Sequence, residues 1–251
     1  MSDKNIYRTR FATFNIGDFS GRGFEKGSEE SKKIIRDTMA NVGAELWALQ
    51  EDVHFFGEVD GVEPYGAIYD CYKNYERRGS GRYNFKAFLS DREIKDVEQI
   101  YYVGTVKFRH PWFLRATVDI EGREVCLICL HFDWSDKFVR QKQISQVIGY
   151  ASKYDYCLIM GDFNPEDCVD GNKLSHKLFF EEEYGRFVDA GYTMANGGEF
   201  GTFDTILDTK ITPCPFDNIL VSSKIKIENA GRVADEWMCD HGLIWADLAF
   251  D

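Results

Sequence analysis

Six short clusters of acids, amides and imidazoles stand at the ends of apolar runs. They are Thr13-Phe14-Asn15-Ile16, Leu49-Gln50-Glu51, Leu130-His131, Gly161-Asp162-Phe163-Asn164, Phe216-Asp217-Asn218 and Asp240-His241. Polar groups gathered at sheet edges are where ligands and metals usually bind in α/β architectures. If these clusters converge, Glu51, Asp162, Asp217 and Asp240 put four carboxylates into one small volume. Two such charges about 4 Å apart repel by about 4 kcal/mol at an effective dielectric near 20. A hard divalent cation resolves the repulsion. Mg²⁺ takes only one or two carboxylates and fills its remaining positions with water and phosphate oxygens. The set therefore predicts a cation and a phosphate together, and not a closed protein cage.

The elements that must position these groups read as short strands with a few helices between them. Strands are expected over Tyr7–Ile16, Leu46–Gln50, Ala67–Tyr72, Phe85–Ser90, Ile100–Val106, Phe113–Ile120, Val125–Phe132, Tyr156–Met160, Phe216–Val221 and Gly242–Phe250. They are rich in Val, Ile, Phe, Tyr and Cys and are bounded by Gly, Asp, Asn or Ser. Helices are expected over Ser28–Val42, Asp136–Lys153 and Leu174–Ala190, where apolar residues recur at helical spacing; in the second these are Phe138, Val139, Ile144, Val147, Ile148 and Ala151. Strands outnumber helices, and all-apolar strands mix with alternating ones. That mixture points to two stacked sheets covered by helices. The Gly-rich stretch Gly17–Gly27 and the charged stretch Glu76–Arg82 read as loops near a functional edge.

Composition bounds the rest. At 44% hydrophobic residues the chain is not a disordered one, and its 251 residues suit one large domain over 1–251. A formal net charge of −12 excludes non-specific coating of nucleic acid, though not a single phosphate met through a metal. No run reaches the roughly 18 apolar residues of a membrane span. Asp3, Lys4, Arg8 and Arg10 interrupt any signal-peptide core, and seven cysteines form an odd set without scaffold spacing. These features lead us to expect reduced thiols and a cytoplasmic protein, with no obligate protein partner evident.

In their order along the chain, the six clusters resemble the endonuclease/exonuclease/phosphatase superfamily. That superfamily includes pancreatic-type deoxyribonuclease, abasic-site endonucleases, neutral sphingomyelinases and inositol-polyphosphate 5-phosphatases. The resemblance runs from about Arg10 to Phe250. One Gly-Asp-x-Asn arises by chance in many turns, whereas six clusters in order are specific. The resemblance implies an α/β fold, a four-layered α/β/β/α sandwich with two packed, mostly antiparallel sheets. It also implies a Mg²⁺-dependent phosphoesterase, with Mn²⁺ as a substitute, hydrolysing P–O bonds by in-line water attack.

Residue by residue, the resemblance makes Asn15 a phosphate contact or the group that orients Asp162, and Glu51 the principal metal ligand. Asp240 completes the metal side. Asp162 positions and helps deprotonate the attacking water, and Asn164 lies beside it on the phosphate. His241 contacts the phosphate and Asp217 fixes its tautomer. His131 stabilises the phosphorane or protonates the leaving oxygen. Arg109, in Arg109-His110-Pro111, resembles a phosphate clamp of pancreatic-type deoxyribonuclease, with Arg115 as its competitor. Tyr83 stands where abasic-site endonucleases keep a phosphate-contacting tyrosine, and Thr202 matches a small loop hydroxyl. Departures from the family pattern are Pro215 and Phe216 in place of a basic approach to Asp217, Asn218 after it, and Cys239 before Asp240-His241.

Substrate class stays open between DNA or RNA, which the deoxyribonuclease-like clusters favour, and a small-molecule or lipid-linked phosphate, which the negative charge favours. A phosphate-binding module on a retired catalytic fold would have lost Glu51, Asp162 or His241, and all three are present. The Cys126-x-x-Cys129 pair followed by His131 invites a zinc reading, but residues i and i+3 of a strand face opposite ways. His54, His110 and His176 read as solvated, and Glu181-Glu182-Glu183 as an exposed helix face. Arg77, Arg78 and Arg82 beside Tyr83 form either a solvated turn or an arm guiding an anionic substrate.

Overall fold

The structure is a computed structural model and describes residues 7–17, 29–51, 74–79, 85–104, 110–164, 180–197, 202, 215–233 and 241–250. In chain order its elements are β1 (Tyr7–Asn15), α1 (Glu29–Val42), β2 (Leu46–Gln50), β3 (Asn74–Arg78), β4 (Lys86–Ser90), β5 (Ile94–Tyr101), β6 (Trp112–Ile120), β7 (Arg123–His131), α2 (Lys137–Ala151) and β8 (Cys157–Asp162). A π-helical turn (Phe180–Tyr184) leads into α3 (Gly185–Asp189), followed by β9 (Thr193–Met194), β10 (Asp217–Val221), β11 (Ile225–Val233) and β12 (Leu243–Phe250). One sheet has the order β11-β12-β1-β2-β4-β3, and the other β5-β6-β7-β8-β10-β9. The pairings are antiparallel except β1 with β2 and β7 with β8.

Alternation along the strands decides the layering, because successive side chains point to opposite faces of a sheet. In β7, Val125, Leu127 and Cys129 enter the core between the sheets, while Cys126, Ile128 and Leu130 pack beneath α2 and α3 with Ile144, Val147 and Phe187. In β1, Phe11 faces the inter-sheet core, and Ala12 and Phe14 face α1 with Ile35 and Met39. Both faces of each central strand are covered, which is why these strands read as near-continuous apolar runs. Helix, sheet, sheet and helix are therefore four layers, the α/β/β/α sandwich expected from the sequence. Cys126 and Cys129 lie on opposite faces of β7, as the case against zinc requires. Among the described residues no helix is long and apolar enough to cross a membrane.

The same alternation builds one end of the sandwich. Continuing the inner-face rows to the strand ends gives Asn15 after Phe11 and Thr13, Gln50 after Leu46 and Ala48, His131 after Leu127 and Cys129, and Asp162 after Leu158 and Met160. In β10, Asp217 precedes Ile219 and Val221 on that face. Register locks these ends together: His131 pairs with Asp162, Asp217 with Asp162, and Asn15 with Gln50.

Several expectations are corrected. Glu76–Arg82 is not one charged turn: Asn74–Arg78 is strand β3, paired antiparallel with β4. The strand expected at Ile100–Val106 runs instead over Ile94–Tyr101, and β11 was not anticipated. These are edge strands, where one flank is open to solvent and charged residues are the norm. Phe138 does not face the core of α2 but is exposed; Arg140 and Gln143 are buried on that helix. Glu183 is not on an exposed face either: it is buried against Arg140, whose Nε lies 3.2 Å from Glu183 Oε2. The strand expected at Ala67–Tyr72, His54, His176 and most of Gly17–Gly27 lie outside the described residues.

Candidate active site

At the shared edge, Asp162 is the hub. Its Oδ2 accepts a hydrogen bond from Asn15 Nδ2 at 2.9 Å, and its Oδ1 accepts the Asn164 backbone N–H at 2.8 Å. His131 Nε2 lies 3.4 Å and His241 Nε2 3.8 Å from that same Oδ2. His241 Nδ1 is 2.8 Å from Asp217 Oδ2, so the carboxylate holds the ring and leaves Nε2 facing Asp162 and the Asn15 amide, the latter 3.5 Å away. Asn15 is itself oriented, its Oδ1 accepting the Gly17 N–H. Glu51 stands on the other side of His131, its Oε1 3.8 Å from Nε2, and keeps partial exposure. Asn15, His131, Asp162, Asp217 and His241 are all at least 95% buried.

Backbone devices aim these groups. Glu51 (φ 56°) and Asn164 (φ 45°) occupy the left-handed region that ordinary residues avoid. Glu51 is held there by its N–H to the Phe85 carbonyl, and Gln50 beneath it bonds Thr13 and the Ala48 carbonyl. Gly161 has φ 143°, and a Cβ on it would lie 2.0 Å from the Leu130 carbonyl oxygen. β7 and β8 meet there so closely that only glycine fits before Asp162. Gly161→Ala should therefore lower stability by roughly 3 kcal/mol, read as a drop in thermal midpoint; an unchanged midpoint would contradict this packing.

Electrostatics separates the groups. Burial, with Asp217 nearby, pushes the Asp162 carboxyl up to about 8 against the pull of His241, Asn15 and the Asn164 amide. Burial, then the charges of His110, Lys86 and His241, holds His131 well below the usual imidazole range, so the ring is neutral at physiological pH. Ligand atoms of Asp162, Asp217 and His241 lie within 4.8 Å of one another, a grouping able to hold a metal ion. The Asp217–His241 hydrogen bond occupies one oxygen and one nitrogen of that trio. The donors in and around the site are mainly carboxylate and amide oxygens, a hard set suited to Mg²⁺ or Mn²⁺, and a cation would offset the charge that burial makes costly at Asp162.

Of the residues singled out in the sequence, Asn15, Glu51, His131, Asp162, Asn164, Asp217 and His241 come together here. One N–H of the Asn164 amide goes to the Phe132 carbonyl, tying the ends of β7 and β8. Thr202 is buried, its hydroxyl accepting the Asp217 N–H and its carbonyl the Gly242 N–H, so it ties Asp217 to the residue that follows His241. Arg115 is not at the site: it bonds the Asp96 carbonyl and the Tyr154 hydroxyl. Tyr83, Arg109 and Asp240 lie outside the described residues. Two residues were missed. His110 is not solvated but buried, its ring stacked on His131 with centroids 3.7 Å apart. Lys86 is fully buried over the Trp112 ring, in register with Gln50. Both precede or open antiparallel strands whose beginnings share the edge where β2 and β7 end, and that register is the signal that could have found them.

Two sheets back to back, with acids, amides and a carboxylate-pinned histidine at one edge, define a phosphoester-hydrolase-like sandwich. The sequence profile of the Endonuclease/Exonuclease/phosphatase family matches residues 12–237, and the chain belongs to that family. No curated protein matches the sequence. An endonuclease/exonuclease/phosphatase family protein from Bacteroides thetaiotaomicron superposes with a TM-score of 0.70 at 15% identity, over 98% of this chain and 99% of the other. Truncated Caenorhabditis elegans TDP2 gives 0.65 at 17% identity, over 98% of each chain. TDP2 from D. rerio, complexed with single strand DNA product, gives 0.66 at 16% identity, over 96% of this chain and 98% of the other. At such identities the likeness is one of fold.

Proposed function

We propose that the chain is a single-domain, divalent-metal-dependent phosphodiesterase of nuclease type, acting in the cytoplasm. The observation that carries this reading is the convergence of Asn15, Asp162, Asp217 and His241 on one buried hub flanked by His131 and Glu51. Glu51, with Asp240, would hold Mg²⁺ or Mn²⁺, which supplies charge neutralisation to the phosphate. Asp162, oriented by Asn15 and the Asn164 amide, takes the proton of the attacking water; a carboxyl near 8 is a competent base close to neutral pH. His241, pinned by Asp217, presents Nε2 to the phosphoryl oxygens. His131 is neutral, which suits donating a hydrogen bond to an oxygen of the pentacoordinate phosphorane better than giving up a proton to the leaving oxygen. Arg109 and Tyr83 are assigned to the phosphate by the sequence resemblance alone.

A nucleic-acid substrate is supported by the like-folded D. rerio TDP2 with its single strand DNA product. The net charge of −12 favours a second reading, a small-molecule or lipid-linked phosphate ester. Free thiols at Cys126, Cys129 and Cys157 accord with a reducing compartment. Hydrolysis of a bis-aryl phosphodiester in Mg²⁺, abolished by EDTA and by Asp162→Ala, is the expected result; activity surviving either treatment overturns the proposal. Nicking of supercoiled plasmid by the same preparation selects the nuclease, and intact plasmid and RNA select the second reading.

A further inference from the structure

His131 is held differently from its counterpart across the site. His241 has a carboxylate on its second ring nitrogen, the usual way of fixing an imidazole's plane and tautomer. His131 Nε2 is aimed at Asp162 and Glu51, while Nδ1 has no hydrogen-bond partner among the described residues. What lies against the ring instead is another ring. His110 is stacked on His131 with 3.7 Å between centroids and 17° between planes.

His110 is in turn fixed from outside the site. Its carbonyl accepts a hydrogen bond from Gln143 Nε2 at 2.9 Å, and Gln143 Oε1 accepts the Asp133 N–H at 3.0 Å. Gln143 is buried in α2, whose start is secured by Asp136 capping the Phe138 and Val139 amides. One glutamine thus ties the segment carrying His110 to the segment that follows His131. A third tether, from Tyr102 N to the Pro111 carbonyl, holds the next residue.

We propose that His110 is a positioning residue for the hydrolysis proposed above, on which this inference rests. Its flat face sets the plane of His131 and thereby the direction of Nε2, and it acts through His131 without touching the substrate. The role belongs to an aromatic face held by α2, so any flat ring of similar size should serve.

Three substitutions separate this from simple packing. His110→Phe keeps a stacked ring, His110→Leu fills the volume without one, and His110→Ala removes both. On a bis-aryl phosphodiester with Mg²⁺, the Leu and Ala variants should lose roughly 10- to 100-fold in kcat with KM within about twofold. His110→Phe should stay within about threefold of wild type, and thermal midpoints of the Phe and Leu variants should agree. If the Ala variant does not fold, the Phe and Leu pair decides alone. A Leu variant as active as wild type, or a Phe variant as slow as Leu, overturns the proposal. Histidine-labelled protein provides a readout independent of turnover: the carbon-bound ring protons of His131, shielded by the neighbouring ring current, should lose that shielding in His110→Leu and keep it in His110→Phe. A wild-type protein that hydrolyses no diester sinks the proposed function and the positioning role together, whatever the spectra show; an active enzyme indifferent to Leu sinks the positioning role alone.

Discussion

Asp162→Asn should produce a protein that is at least about 10³-fold slower and yet melts at a higher temperature than wild type in EDTA at pH 7.5. The two effects share one cause. Asp162 is buried beside Asp217, and its carboxyl rises from 3.8 to about 8. With the folded value above the unfolded one, the folded state holds a proton between those limits that the unfolded chain has released. Stability from this group is therefore complete below the unfolded value and is lost as pH climbs through about 8. Asparagine keeps one oxygen, enough for either the Asn15 or the Asn164 donor but not both. It never ionises, so the variant escapes that loss at the cost of one accepting oxygen. A rise from 3.8 to about 8 is worth up to about 5 kcal/mol at pH 7.5. Set against the lost accepting oxygen, a net gain of about 1–2 kcal/mol corresponds to about 2–8 °C for a chain of this size. Calorimetry from pH 5 to 8.5 checks the sign: the wild-type midpoint should fall more steeply with pH than the variant's. A cation held by Glu51 and Asp240 favours the ionised form of the neighbouring Asp162, so added Mg²⁺ should raise the wild-type midpoint more at pH 8 than at pH 6, while the gain in the variant should depend less on pH over that range. A variant that melts below wild type throughout would mean that Asp162 is paired rather than strained. Site strain of this kind, relieved at the expense of turnover, is the expected form of a stability–activity trade-off.

How much of this was legible in the sequence follows from burial. Central strands such as β7 and β8 are covered on both faces, so their apolar runs announce themselves and their polar last residues stand out: His131 closes one run and Asp162 the other. Edge strands carry no such mark. β3 (Asn-Tyr-Glu-Arg-Arg) overlaps the stretch Glu76–Arg82 that reads as a charged loop, and β5 (Ile-Lys-Asp-Val-Glu-Gln-Ile-Tyr) reads as strand only at its last two residues, because an edge exposes one flank and gains from charge there. β11 adds an irregularity between Ile227 and Asn229 that breaks its alternation.

The site divides along a similar line. Groups that close a strand were found from their position, and Asp217 and His241, which open β10 and precede β12, from the polar clusters they belong to. Lys86 and His110 stand at the beginnings of antiparallel strands without such a cluster and look in sequence like ordinary solvated residues. Only the pairing of Lys86 with Gln50, and the stacking of His110 on His131, shows that these beginnings share an edge with those ends. Glu183 was misread for a related reason. Three consecutive glutamates suggest a solvated face, but the buried Arg140 on α2 supplies a charge that draws one of them inward.

Asp217→Asn is expected to cost on the order of 10³ to 10⁴ in kcat while leaving the fold intact. Asp217 lies 2.8 Å from His241 Nδ1, and as a carboxylate it can only accept, so Nδ1 must carry the proton and Nε2 is directed at the Asp162 hub. An asparagine at 217 can turn its NH₂ toward Nδ1 instead. The ring would then accept at Nδ1 and carry its single proton at Nε2. It would also lose the carboxylate that favours the charged imidazolium, the form in which Nε2–H donates to the phosphoryl oxygens while Nδ1–H stays on residue 217. The remaining supports of this corner do not depend on the carboxylate: Thr202 holds the backbone N–H of residue 217, and its carbonyl holds Gly242. The thermal midpoint should consequently move little, and any movement should be upward, since one of two neighbouring buried carboxylates is gone. Long-range ¹H–¹⁵N spectra of the histidine rings provide the direct check, with His241 Nδ1 reading as protonated in wild type and as an acceptor in the variant. A variant that keeps the wild-type tautomer and kcat within about threefold would remove the Asp217–His241 pair from the catalytic machinery and leave Asp162 with Asn15 as the chemical centre.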